Sequence, residues 1–192
     1  MIYKLWSLSF FILAICVIFS GCAAIGGNAT ISDAKAIQKI SRVYLPPFIV
    51  VDEWPKTDTI VVPARIYSFL CEKLNDVFTV VLFDSVKYKS VAMNIEKARQ
   101  MGQESGADAI VFAQLRYYLP LFDAPSAELK LNLIDPSTGK VIAFSSHDTH
   151  LGNSYFSIEP PSRAQITGDA IVGCVETLKK AVTQIRSLKS AR

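Results

Sequence analysis

Cys22 is the residue in this sequence whose surroundings point most directly to a chemical modification. Upstream of it lie a single charge, Lys4, and an apolar core from about Leu8 to Phe19. That core is about half as long as the roughly 20 residues that a bilayer-spanning helix needs. A basic start, a short apolar core and small residues before a cleavage site are typical of a secretory signal. We therefore expect residues 1–21 to be a signal peptide that is removed on export.

The residues around the expected cut add a second prediction. Ser20 and Gly21, followed at once by Cys22, resemble the lipobox of bacterial lipoproteins, although Phe19 stands where that motif usually has Leu. The resemblance implies a diacylglyceryl thioether on the Cys22 thiol and an acyl chain on its amine. Because Ala23 is not the Asp that retains lipoproteins at the inner membrane of enteric-type bacteria, it also implies the outer membrane. The alternatives are an ordinary signal peptide cut nearby, or an uncleaved anchor.

Length and charge limit what the rest of the chain can do. The 192 residues carry a formal net charge of +3, and Lys and Arg cluster no more closely than in pairs such as Lys179-Lys180. This pattern gives no case for nucleic-acid binding. Residues 22–39 are predicted to be the lipidated Cys and a short tether, whose residues 23–38 reach at most about 55 Å when fully extended. Residues 40–192 suit a single periplasmic domain with a substantial core.

The residue types that usually support catalysis or metal binding do not form a recognisable site. His147 and His150 lie three residues apart near a predicted strand end, so a metal site there would need a turn and further ligands. We interpret them as a solvated strand end. The sequence has no nucleophile elbow, phosphate-binding loop or zinc-protease motif. We therefore predict no enzyme activity, no cofactor, no metal and no small-molecule substrate.

Hydrophobic periodicity predicts eight elements in the order β-α-β-α-β-β-β-α. The first strand, Arg42 to Val51, contains Pro46-Pro47, which predicts a break, a bulge or an edge position there. The other elements are helices from about 63 to 76 and 90 to 105, strands at 78–83, 108–118, 128–133 and 141–146, and a last helix from Ser162. The predicted fold class is α/β, with a single mixed sheet, a parallel core, a C-terminal antiparallel hairpin and packed helices.

Three phrases, taken in order, are similar to a group of bacterial envelope domains. They are Val43-Tyr44-Leu45-Pro46-Pro47-Phe48, Gly106-Ala107-Asp108-Ala109-Ile110-Val111, and the hairpin from Leu131 to Val141 with its Asp-Pro-Ser-Thr-Gly turn. The group includes the N-terminal domain of TolB, the periplasmic domain of CsgG and the penicillin-binding-protein activator LpoB. The resemblance spans about residues 40–188.

The resemblance implies a non-catalytic module that binds other envelope proteins or assembles with copies of itself. Two features of this chain depart from particular members of the group. Pore formation of the CsgG kind needs spare amphipathic hairpins with strands of about 9–11 residues, and no such pair is present. An activator of the LpoB kind must cross the periplasm, and the short tether argues against that reach. The second hypothesis is a structural subunit of a ring or of a secretion or envelope apparatus.

Three segments that follow strands are candidate partner-binding sites because they carry large apolar or aromatic residues. Aromatic, Pro-stiffened loops suit protein interfaces, since rings bury area at low entropy cost. The alternative is that these residues fold back onto the core or the sheet edge. The candidates are Trp54 in the first loop, Tyr117, Tyr118, Leu121 and Phe122 in the second, and Tyr155 and Phe156 in the third.

The cysteines of the expected domain are Cys71 and Cys174. In an oxidising periplasm they could pair. Cys174 falls on the apolar stripe of the last helix, whereas Cys71 lies about 140° from the centre of the stripe on its own helix, at 100° per residue. We therefore expect two free thiols.

Overall fold

A computed structural model describes residues 27–47, 49–52, 63–83, 94–118, 126–150 and 163–190. These residues form seven strands and four helices. In chain order the elements are β1 (Asn28–Ile31), α1 (Ala34–Ile37), β2 (Arg42–Leu45), β3 (Ile49–Asp52), α2 (Pro63–Leu74), β4 (Thr79–Leu82), α3 (Ile95–Glu104), β5 (Ala109–Tyr118), β6 (Ser126–Ile134), β7 (Val141–His150) and α4 (Arg163–Ser190).

All seven strands belong to one mixed sheet. Its order is β1-β7-β6-β5-β2-β4, with β3 also paired to β5. The strands β2, β3, β4 and β5 make parallel pairs, while β5, β6, β7 and β1 follow one another in antiparallel pairs. This arrangement confirms the predicted α/β class, with its parallel core extended by an antiparallel hairpin.

The two faces of the sheet are covered differently. The larger core lies between one face and the helices α1, α2 and α4, and it contains Leu129, Leu131 and Leu133 of β6. The alternate residues Glu128, Lys130 and Asn132 point to the other face, as the period-2 pattern predicts. A smaller core on that second face joins α3 to β2 and β5. The described part of the chain contains no helix that is long and apolar enough to span a membrane.

The segment before residue 40 corrects the predicted tether. Strand β1 pairs with β7 along its whole length, from Asn28 opposite Ser146 to Ile31 opposite Ala143. Helix α1 follows, capped by the Asp33 carboxylate, and Ile37 on it is fully buried. No sequence pattern indicates these two elements, because β1 and α1 have four residues each, too few for a periodic pattern. The residues available as a tether therefore end near Gly27.

Pro46 and Pro47 divide the predicted first strand into two. Strand β2 pairs with the start of β5 and β3 with its second half, so the two lie in line along the same edge of β5. Proline lacks the N–H that a continuous ladder would need at this point. At the interruption, Tyr67 of α2 ties the end of β2 to the end of β4, because its hydroxyl donates to the Leu45 carbonyl at 2.6 Å and accepts from the Phe83 N–H at 3.0 Å.

The Gly-Ala-Asp phrase before β5 forms a turn that ties three segments together. Gly106 has a φ of +63°, the left-handed region that favours glycine after a helix. Oδ2 of Asp108 accepts from the Ser41 and Arg42 N–H groups, each at 2.9 Å, and from the Ser41 hydroxyl at 3.0 Å. The backbone donors lower the pKa of Asp108. The phrase therefore fixes where β5 enters the sheet beside β2.

Replacing Asp108 with Ala is expected to lower the free energy of unfolding by about 1–2 kcal/mol, because three donors lose a charged acceptor. Since the folded carboxyl has the lower pKa, its contribution is complete above about pH 4 and declines as the pH falls further. Denaturant unfolding at pH 7 and pH 3 measures both effects. Asp76→Ala is the matched control, because within the described ranges the Asp76 carboxylate makes an exposed 3.9 Å ion pair with Lys179 and no other ion pair. Equal losses in the two variants would contradict the assignment.

The turn between β6 and β7 is held both locally and by α3. Oδ1 of Asp135 accepts from the Ser137 N–H at 2.7 Å and from the Ser137 hydroxyl at 2.6 Å, and these bonds lower its pKa. Gly139 closes the turn with a φ of +73°. From α3, Gln103 donates to the Pro136 carbonyl at 2.7 Å. The second and third phrases of the sequence resemblance are thus turns that build the sheet.

Cys71 and Cys174 are both free thiols and both buried, which confirms the prediction. Burial raises the pKa of Cys174 to about 12, and it also raises the pKa of Cys71. Cys71 nevertheless belongs to the main core, although its angle on the helix placed it off the apolar stripe.

Candidate protein-interaction surface

The three predicted partner-binding segments begin at one end of the sheet. Strand β3 ends at Asp52, which pairs with Tyr117, and β5 ends one residue later at Tyr118. Tyr118 pairs with Ser126, and Ser126 pairs with His150, the last residue of β7. We call this the Tyr118 end of the sheet. The predicted contact residues Trp54, Leu121, Phe122, Tyr155 and Phe156 lie outside the described residues, as does Cys22.

The two tyrosines at the end of β5 point to opposite faces, because successive residues of a strand alternate. Tyr117 faces α4 and is 3% exposed, and its hydroxyl lies 2.6 Å from the Thr167 hydroxyl. The Tyr117 ring therefore packs in the core, where a partner protein cannot contact it. Tyr118 is partly exposed and lies on the second face of the sheet.

On that second face, beyond the part covered by α3, the strands carry polar side chains. We call this area the polar sheet face, and its residues are Gln114, Arg116, Tyr118, Glu128, Lys130 and Asp148. Ile110 and Ile134, nearer the start of β5, occupy the same face beneath α3. The face thus changes from apolar to charged toward the Tyr118 end.

Tyr118 is held in place by its neighbours on this face. Its hydroxyl donates to Oδ2 of Asp148 at 2.5 Å, across the intervening strand β6. The Arg116 guanidinium lies 5.2 Å from the centre of the Tyr118 ring, within the range of a cation–π interaction. Burial, and then the hydrogen bond to Asp148, raise the pKa of Tyr118. The phenol therefore stays protonated at neutral pH and acts as a donor.

The charges of the polar sheet face balance one another. Lys130 forms an ion pair of 3.0 Å with Glu128, and both side chains remain partly exposed. Two cations and two carboxylates favour a partner with charges of both signs, because each group can be matched by an opposite one. No cluster of three or more His, Cys, Asp or Glu side chains suited to a metal occurs in the described ranges. The sequence pattern predicted which side chains of β6 face solvent. It did not predict that Arg116 and Asp148 lie beside them.

His147 corrects the interpretation of the histidines as a solvated strand end. Strand β7 continues through both histidines, and His147 points toward α4. A Cβ atom at Gly173 would overlap the His147 ring, so the helix approaches the ring as closely as a glycine permits. Nδ1 of His147 is buried and has no hydrogen-bond partner within the described part of the chain. Burial lowers the pKa of His147, against the opposing effects of Asp148 and Asp169.

The lowered pKa of His147 predicts a loss of stability in mild acid. The folded state holds the ring neutral, whereas the unfolded chain binds a proton below about pH 6.5. The free energy of unfolding should therefore fall as the pH decreases from about 6.5 toward the lower folded pKa. Urea unfolding between pH 5 and 7.5 measures this slope in the wild type and in His147→Gln. A variant with the same slope as the wild type in this range would contradict the prediction.

The sequence matches no protein-family model and no curated protein. Solved structures with a similar fold include a variant of PelC from Paraburkholderia phytofirmans, which is a dodecamer. It has a TM-score of 0.52 and 16% identity, and the match covers 80% of this chain and 97% of that one. At this identity the likeness establishes a shared fold and nothing more.

Two further solved structures match with lower TM-scores. Lipoprotein GNA1162 from Neisseria meningitidis has a TM-score of 0.46 and 16% identity, covering 73% of this chain and 99% of that one. The C-terminal domain of LpoB from Escherichia coli has a TM-score of 0.41 and 12% identity, covering 57% and 82%. LpoB, identified by sequence resemblance, is thus also among the structural neighbours, at a score too low to carry an argument about function.

Proposed function

We propose that this chain is a non-catalytic lipoprotein, anchored through Cys22 in the outer membrane, whose periplasmic domain binds other envelope proteins. The observation that supports this most directly is the convergence of β3, β5 and β7 at the Tyr118 end of the sheet. The three segments predicted to bind partners all start from that end. The polar sheet face extends to the same end of the sheet, at Tyr118.

The polar sheet face suits binding because its side chains are already ordered. Tyr118 is fixed by Asp148 and Arg116, so little conformational entropy remains to be lost when a partner binds. Tyrosine and arginine are also the residues most often found at the energetic centres of interfaces. The lipid anchor adds to this effect, because tethering raises the local concentration of the domain at the membrane.

The same geometry favours binding over catalysis. A phenol whose pKa is raised is a weak nucleophile and a weak base at neutral pH. The Asp148 carboxylate accepts a hydrogen bond from the Tyr118 hydroxyl, and this bond holds the Tyr118 ring in place.

The test is capture of partners in cells by crosslinking, with Arg116 and Tyr118 both replaced by Ser. We expect the double variant to lose partners that the wild type captures. The matched control replaces Lys97 and Gln100 with Ser, since these bond to each other on the exposed side of α3. Thermal unfolding must show that both variants fold. If the folded double variant still captures every wild-type partner, the polar sheet face is not the interface.

The second candidate function is a structural subunit of an oligomeric ring. It is favoured by the shared fold with PelC, whose structure is a dodecamer. The native mass of the processed protein, purified in detergent, separates the two functions. A stable assembly of many copies would support the ring, and a monomer that captures other envelope proteins would support the interaction module.

A further inference from the structure

The polar sheet face is organised in rows that cross the strands, because residues paired across a sheet point to the same side. We name two adjacent rows after their residues on β6. The Glu128 row consists of Arg116, Glu128 and Asp148. The Lys130 row, one step nearer to α3, consists of Gln114, Lys130 and Ser146. All these side chains are partly exposed, and the formal charges sum to a negative value in the first row and a positive value in the second.

Aromatic side chains lie on both sides of these two rows. On β5, Phe112 lies beyond the Lys130 row, and Tyr118 lies beyond the Glu128 row. Adjacent rows are about 7 Å apart, since a strand rises about 3.4 Å per residue. Strand β5 therefore carries, at even spacing, one aromatic ring, two polar side chains and a second ring.

This pattern is complementary to itself. A two-fold axis that crosses the strands between the two rows would place β6 of one copy antiparallel over β6 of another. Each Glu128 row would then cover the Lys130 row of the other copy, so that Glu128 and Lys130 are both matched by an opposite charge. The same rotation would place Tyr118 over Phe112 of the second copy, and aromatic pairs of this kind attract each other.

Other two-fold axes match the charges less well. An axis through either row, or one that runs along β6, would place Glu128 over its own copy or Lys130 over its own copy, and like charges in contact repel. An axis one row nearer to α3 would place Glu128 over Ile134, which α3 already covers. An axis along the strands between β5 and β6 would match Arg116 with Glu128 but would leave Lys130 opposite the Gln114 amide.

We propose that the polar sheet face binds a second copy of this chain, with the two-fold axis between the Lys130 row and the Glu128 row. The inference rests on the proposed function, in which this face binds protein, and it names the partner. Because both copies use the same surface, the contact is isologous and the assembly closes at two copies. Sheets packed face to face in this way are a common arrangement within proteins.

The size of the face predicts a weak pair that anchoring strengthens. Four rows on β5, β6 and β7 cover roughly 400 Å² on each copy. A standard interface buries roughly 800 Å² on each partner. We therefore expect the pair to form in solution only at high protein concentration. An anchor in the membrane would favour it by raising the local concentration of the domain.

The place where the chain enters the domain is compatible with this pair. The axis crosses the strands, so the strand order β1-β7-β6-β5 runs in the same direction in both copies. The two β1 edges therefore lie on the same side of the pair. If Cys22 is lipidated as proposed above, two copies held in one membrane can pair without either domain turning over.

Mixing of charge-reversed variants tests the arrangement. Sedimentation equilibrium of the processed full chain, in detergent, compares the wild type, Lys130→Glu, Glu128→Lys and an equal mixture of the two variants. Each variant alone places like charges opposite each other, so we expect its pairing to weaken by roughly tenfold or more. The mixture places opposite charges at both positions and should restore the pairing. Mixing cannot repair a repulsion within one chain, so restoration reports contact between copies.

Two further variants control for charge and for folding. Lys180→Glu changes the net charge as Lys130→Glu does, but at an exposed position of α4 on the other side of the sheet, and it should pair like the wild type. Glu128→Lys combined with Lys130→Glu in one chain retains the ion pair of 3.0 Å in reversed order, and it should also pair. Thermal unfolding shows which variants fold, and the combined variant tests the contact if a single variant does not.

Three results would overturn the inference. They are a wild type that stays monomeric at the highest concentration, a wild type that forms an assembly of many copies, and folded variants whose mixture pairs no better than each alone. Crosslinking in cells separates this failure from that of the proposed function. If Arg116 and Tyr118 are still needed to capture other proteins, the pair alone is wrong; if they are not, the interaction role of the face is wrong as well.

Discussion

Gly173→Ala is expected to lower the free energy of unfolding by up to about 2 kcal/mol, although alanine is the better helix former. Alanine in place of glycine gains about 1 kcal/mol inside a helix. At position 173, however, the added methyl group would overlap the His147 ring, which is held between β7 and α4 with Nδ1 buried. Overpacking of this kind costs about 1–3 kcal/mol and can displace the ring or the helix. Urea unfolding at pH 7.5, where His147 is neutral, measures the change.

The same helix supplies the control. Among the described residues, no atom outside the adjoining turns of α4 lies within 4 Å of the position that a Cβ at Gly168 would occupy. Gly168→Ala should therefore gain about 0.5–1 kcal/mol, the helix-propensity term alone. A second variant isolates the contact: Gly173→Ala combined with His147→Ala should recover much of the loss. If Gly173→Ala and Gly168→Ala both stabilise the protein equally, the close approach of His147 and α4 is wrong.

Cys22→Ser is expected to abolish the acyl mass of the mature protein and to release the domain from the membrane fraction. Serine has no thiol on which the diacylglyceryl thioether could form. Even one acyl chain gives only marginal membrane binding. The variant has no acyl chain, so little of the protein should stay attached to the membrane. Intact mass and membrane fractionation of the protein expressed with its signal measure both effects.

Cys16→Ser is the matched control, since Cys16 lies within the expected signal peptide and leaves with it. The control should retain the acyl mass and the membrane location of the wild type. If the wild type and Cys22→Ser are found soluble at the same unmodified mass, the lipobox prediction fails, and the anchored function fails with it.

Where the sequence pattern is local, it predicted the structure well. The alternation of Leu129, Leu131 and Leu133 with polar neighbours established which side of β6 is buried, because a strand has a period of two. The helix stop at Gly106 and the turn at Asp135 were identified by residues that suit a positive φ or bond to their own vicinity. Pro46 and Pro47 marked the break between β2 and β3 for a similar reason: proline has no N–H to donate.

The candidate surface could be predicted only in part. The apolar segments after β3, β5 and β7 were identified by composition, but their start at one end of the sheet depends on strand register. No motif or periodic pattern in the sequence distinguishes Arg116 or Asp148 from other charged residues. They become part of one surface because β5 and β7 flank β6, and the Tyr118 ring spans that gap.

The sequence by itself determined the elements from β2 onward, the dry and wet faces of β6, and the prediction of a lipid-bearing Cys22, because each depends on residues close together in the chain. The tertiary structure alone decided that β1 joins the sheet, that His147 is packed against Gly173, and that Gly27 lies beside Thr177 and His147. Those features arise from pairings between residues far apart in the sequence. No local period or propensity encodes such pairings, since they are selected by how the whole sheet and α4 bury their apolar faces together.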